Sequence, residues 1–133
     1  MASAAFRYFA TVFSVGFILG AIRTLAITPR IGATAAVLIE LPIILVASWL
    51  VATRIVRRTR PAPAAAFAMG VFAFILLMTA EALIAVTVAD QGLTEWSAAL
   101  FRTPGWIGLA GQIAFGLFPL LASRRLRSAD IRA

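Results

Sequence analysis

Four long apolar runs alternate with short polar breaks along the 133 residues of this chain. The runs cover about residues 6–27, 31–53, 64–89 and 104–122. An α-helix needs about 20 apolar residues to cross the hydrocarbon core of a bilayer, and each run supplies that length. The first break is Thr28-Pro29-Arg30. Proline disfavours helical geometry at the residue before it, so Thr28 is expected to leave the helix. The next apolar run begins at once with Ile31, which predicts a tight turn and an antiparallel hairpin. The second break, Arg54 to Arg60 followed by Pro61-Ala62-Pro63, reads as basic and resistant to helix. Within the second run Pro42 withholds an N–H from the Leu38 carbonyl and predicts a kink beside Glu40.

The third break, residues 90–103, is the longest. Leu93, Trp96 and Leu100 recur at helical spacing, flanked by Glu95 and Arg102. This predicts a short amphipathic helix over about residues 94–102, lying in the interface with Trp96 at headgroup depth. Thr103-Pro104 reads as an N-cap with proline in the first turn of the last span. The polar tail beyond Ala122 is expected to fray. The uncharged stretch from Tyr8 to Ile22 resembles the apolar core of a signal peptide, but it continues through Arg23 into a second span, so a retained helix is expected. The expected fold is an all-α integral membrane protein of one domain, residues 1–133: a four-transmembrane-helix bundle with a short interfacial helix between spans three and four.

Composition sharpens this picture. Hydrophobic residues make up 62% of the chain and the mean hydropathy is +1.01, against about 45–50% apolar residues in a typical soluble domain. Histidine, cysteine, lysine and asparagine are all absent. No disulfide framework is therefore available, and the usual ligands of zinc and haem are missing. No nucleophile with its base, no phosphate loop and no metal cage can be assembled, so no catalytic residue, metal or cofactor is expected and the chain reads as a non-enzyme. Alanine at 28 positions, with arginine in place of lysine, suggests a GC-rich bacterial genome.

The net charge of +7 arises from twelve arginines against five acids. The arginines cluster at the ends of apolar runs rather than on a face interleaved with aromatics, so nucleic acid is not expected as a partner. Arg7, the four arginines at 54–60 and the four of the tail fall on one side, whereas only Arg30 and Arg102 fall on the other. The positive-inside rule then places both termini in the cytoplasm, in a bacterial inner membrane. Arg54, Arg57, Arg58, Arg60, Arg124, Arg125 and Arg127 are explained as topology determinants. A sharper alternative has them contact anionic lipid headgroups.

Polar groups inside the spans are the candidate functional residues. Arg23, Glu40, Glu81 and Gln112 fall at matching depth, roughly 10–14 Å below the outer surface at 1.5 Å per residue. Gly16 and Gly20 share a helix face with Arg23, Gly105, Gly108 and Gly116 share one with Gln112, and Ala33, Ala36 and Ala47 share one with Glu40. Small residues mark packing surfaces in membranes, so all four polar groups are expected to point into the bundle. One glutamate is expected to pair with Arg23 and the other to be able to hold a proton. The layer has two principal readings, polar glue that fixes helix register or a path for protons or small solutes. A catalytic acid–base pair is a third.

Four short spans with an intramembrane glutamate resemble the layout of the small multidrug-resistance transporters. That family carries its functional glutamate in the first span, where this chain has Arg23 and no acid, and its loops are shorter than residues 90–103. No functional residue carries over. The expected function is a small polytopic membrane protein, a subunit or accessory of a larger assembly. Its expected partners are the lipid bilayer and other membrane helices, from a second copy or another subunit. The competing expectation is a proton-coupled transporter or channel using Glu40 and Glu81.

Overall fold

The computed structural model describes residues 2–133, and among these it is helical with no strand. Helix α1 runs Ala2–Ile22, passes through a π-helical turn at Arg23–Ile27, and ends in a one-turn helix α2, Thr28–Ile31. Helix α3 spans Ala33–Thr59, α4 spans Pro63–Thr87, the short α5 spans Leu93–Ala99, and α6 spans Gly105–Arg132. Four stretches are thus long and apolar enough to cross a membrane: Ala2–Ile31, Ala33–Thr59, Pro63–Thr87 and Gly105–Arg132. The chain is a multi-pass membrane protein built as an all-α bundle.

Several boundaries differ from those read in the sequence, each for a local reason. The first break does not fall at Thr28. A π turn, in which the Thr28 N–H bonds the Arg23 carbonyl, leads directly into Pro29 at the start of α2. Local π adjustment is a recognised way for a membrane helix to absorb a proline. The chain reverses at Gly32 instead, with φ +87° and ψ 162°, a region open essentially to glycine alone. Helix α3 runs unbroken through Pro42 and on to Thr59, so Arg54, Arg57 and Arg58 are helical rather than part of a loop. Arginine is a good helix former, and its long stem carries the charge outward. Only Arg60, Pro61 and Ala62 connect α3 to α4.

The stretch after Ala122 does not fray but completes α6. It lacks glycine and proline, and its Leu126 packs against a buried cluster of Ala5, Val56, Met69 and Ala122. Helix α5 covers Leu93–Ala99, and Leu100 to Pro104 turn before α6. Proline at 104 disfavours helix at the residue before it. Pro104, not Thr103, occupies the N-cap, and the Thr103 hydroxyl accepts a hydrogen bond from the Trp106 indole N–H at 2.9 Å.

Helix α1 packs on α3 and α4, and α6 packs on the same two, so spans one and four face each other across one diagonal of the bundle. A second buried cluster, Tyr8, Val12, Ala52, Ala73 and Phe115, fills its middle. Outward positions such as Ile18, Ile39, Ile75 and Ile113 are half or more exposed. That is the inverse of a water-soluble protein and fits an apolar solvent.

Candidate functional site

The polar groups within the spans resolve into two pairs, one in each hairpin. The Arg23 guanidinium Nε–H donates to Glu40 Oε2, joining the π turn of span one to α3. The π turn begins at Arg23 itself, so the segment that absorbs Pro29 also carries this side chain. The side chains of Arg23 and Glu40 keep 30% and 16% of their surface exposed. In the second hairpin, the Gln112 amide donates to Glu81 Oε2 at 2.6 Å, joining α6 to α4. Gln112 Oε1 is buried and has no partner.

This arrangement can neutralise one carboxylate with a guanidinium and hold the other by an uncharged amide. An unpaired ionised group in hydrocarbon would cost several kcal/mol. Among the described residues no cluster of acids has the composition of a metal site.

The glycines divide. An added Cβ at Gly16 would meet Ile44 of α3 at 3.2 Å, and one at Gly116 would meet Phe74 of α4 at 3.3 Å, so both sit between spans. Gly20 has only the Arg23 guanidinium nearby, and Gly108 has nothing within 4 Å. Gly105 lies against the Ala99 carbonyl in the turn that follows α5. The tightest of the glycine contacts between spans is at Gly70, which has no polar residue at helical spacing to mark it: a Cβ there would collide with the Gly116 carbonyl oxygen. Gly111 likewise leaves room for Leu41 of α3.

Tyr8 was also missed. Its hydroxyl donates to the Phe115 carbonyl at 2.7 Å, and its ring stacks on Phe115 with centroids 4.4 Å apart. Four residues on lies Pro119, which has no N–H to give that carbonyl. The phenol from span one thus fills a vacancy that proline creates in span four. The signal was present as a proline inside an apolar run together with the only tyrosine of the chain.

The basic side chains gather at the opposite end from the polar pairs. Arg54, Arg57, Arg58, Arg60, Arg124, Arg125 and Arg127 are all exposed there. Arg60 is drawn into an ion pair, its Nη1 donating to Asp130 Oδ2 at 2.8 Å. Beneath it the Ser123 hydroxyl donates to the Pro61 carbonyl at 2.9 Å. Compared with known proteins, the chain matches no family model, no curated protein and no solved structure.

Proposed function

We propose that this chain is a small non-enzymatic membrane protein that serves as a subunit or accessory of a larger membrane assembly, its polar pairs holding the helices in register. The observation that supports it is the pairing itself. Arg23 is paired with Glu40 and Glu81 with Gln112, so each charged side chain within the spans has a polar partner. What remains outward is apolar side chain on all four spans, available to lipid or to partner helices. The arginine distribution supports both termini in the cytoplasm, and the alanine-rich, lysine-free composition supports a bacterial inner membrane. Purification in mild detergent tests the assignment: a partner recovered in fixed stoichiometry is expected, and recovery of the chain only with copies of itself would count against it.

A second reading has one observation in its favour. Glu81 is held by a neutral amide, and Gln112 Oε1 is buried with a free acceptor. That leaves a carboxyl and an acceptor able to take up a proton or a small hydrogen-bonding solute. In this reading the chain is a proton-coupled transporter or channel. Reconstitution with a pH-sensitive dye in the lumen separates the two. Proton flux that disappears in both Glu40→Gln and Glu81→Gln, with the helical fold retained, would displace the accessory role.

A further inference from the structure

The arginine-rich end of the bundle holds a cleft of about 370 Å³ between the last turns of α3 and α6. Its floor is Val56 and Ser123, exposed by 1% and 2%. Leu126 adds an apolar wall, and Arg60, Arg127 and Asp130 stand around the opening. Arg60 is the residue that ends α3, in a left-handed conformation with φ 47° that non-glycine residues adopt infrequently. In that conformation it meets Asp130, the only acid at this end of the bundle. Arg127 lines the same cleft, and Arg60–Asp130 and Arg23–Glu40 are the ion pairs among the described residues.

We propose that this cleft is a binding site for the phosphate group of an anionic phospholipid, with Asp130 as its built-in competitor. Two guanidiniums with forked N–H donors beside one opening match the planar, multi-oxygen geometry of a phosphate. Leu126 and Val56 offer an apolar surface to the glycerol and upper acyl carbons, which a free phosphate ion would leave unused. The cleft lies where the apolar spans give way to arginines, the depth of a headgroup. Asp130 holds Arg60 while the site is empty and must yield it when phosphate arrives. An exposed pair of this kind has little net strength, so the exchange is not costly. The inference rests on this end lying at a membrane surface, as in the proposed function, but not on any protein partner.

The test uses the isolated full chain. Retention of phosphatidylglycerol is measured by native mass spectrometry after extraction from vesicles of phosphatidylglycerol and phosphatidylcholine. One anionic-lipid site per chain, filled in only a minority of chains at the phosphatidylglycerol fraction used, is expected in the wild type. The doubly substituted R60Q/R127Q should lose it. R54Q/R57Q, with the same charge change on arginines outside the cleft, should keep it. D130N should raise retention about fivefold, the value of roughly one favourable charge near the surface. Equal loss in the two arginine variants would mean diffuse attraction and overturn the site. So would unchanged or lower retention in D130N, which covers the case in which R60Q/R127Q fails to fold. Inorganic phosphate added to protein in phosphatidylcholine alone distinguishes the source: thermal stabilisation equal to that given by phosphatidylglycerol would assign a free anion and defeat the lipid assignment. Failure to find a protein partner would leave all these readings intact.

Discussion

Arg23 and Glu40 satisfy each other inside an apolar bundle, so removing one strands the other. Arg23→Ala is expected to destabilise the fold by about 3–5 kcal/mol, because it leaves Glu40 inside the spans without its counter-charge. Adding Glu40→Ala should return part of that loss, and unfolding in mixed micelles would show it. A double variant as unstable as the sum of the singles would mean the pair is not coupled. Tyr8 makes a second prediction. Tyr8→Phe keeps the ring stack on Phe115 and deletes one hydrogen bond to its carbonyl, worth about 1 kcal/mol. In a Pro119→Ala background the new amide can serve that carbonyl, so the cost of Tyr8→Phe should shrink toward zero. Depth along the spans was readable from the sequence, since residue counts convert directly to height. Partner choice was not. Which acid meets Arg23 depends on which spans touch, and the use of Tyr8 depends on a contact between residues 107 positions apart.

Close approach of whole helices turns on backbone rather than side chain. Gly70→Ala would drive a Cβ into the Gly116 carbonyl, an atom that cannot rotate away, so α4 and α6 must separate. A loss of about 1–3 kcal/mol is expected. Gly108→Ala, with nothing nearby, should be neutral or slightly stabilising because alanine favours helix. Thermal unfolding of the two variants side by side checks the contrast. The glycines on the polar faces were a fair guide to some contacts, Gly16 and Gly116 among them, but spacing cannot distinguish a face that meets a neighbour from one that meets lipid. Helix breaks were legible only as regions. Proline at 29 pointed to the right neighbourhood, yet the turn went to Gly32 because a π turn absorbed the proline and only glycine could take the reversal. The arginines of α3 were mistaken for a loop because charge marks the edge of the membrane, not the end of a helix.

At the scale of the whole molecule, the proposed orientation rests on nine arginines on one side against two on the other. A reporter fused after Ala133 should be active only in the cytoplasm; periplasmic activity would invert the bundle. The four-span architecture could be read because apolar length and polar punctuation are properties of the chain itself, whereas the packing order, with α1 and α6 across a diagonal, arises only when the spans meet. The polar pairs carry a consequence for biogenesis. Arg23 and Glu40 belong to consecutive spans, and so do Glu81 and Gln112. Each hairpin therefore leaves the translocon with its own awkward groups already matched, and neither must wait in lipid for the other. Inside the spans the contacts that later join the halves, such as Leu41 at Gly111 and Trp49 edge-on to Phe118 at 5.5 Å, involve no ionised group; the Arg60–Asp130 pair joins them only at the exposed arginine-rich end. Docking of preformed halves is then the order of assembly the pairing favours, and residues 1–60 and 61–133 expressed as separate polypeptides should insert independently and recombine in the membrane.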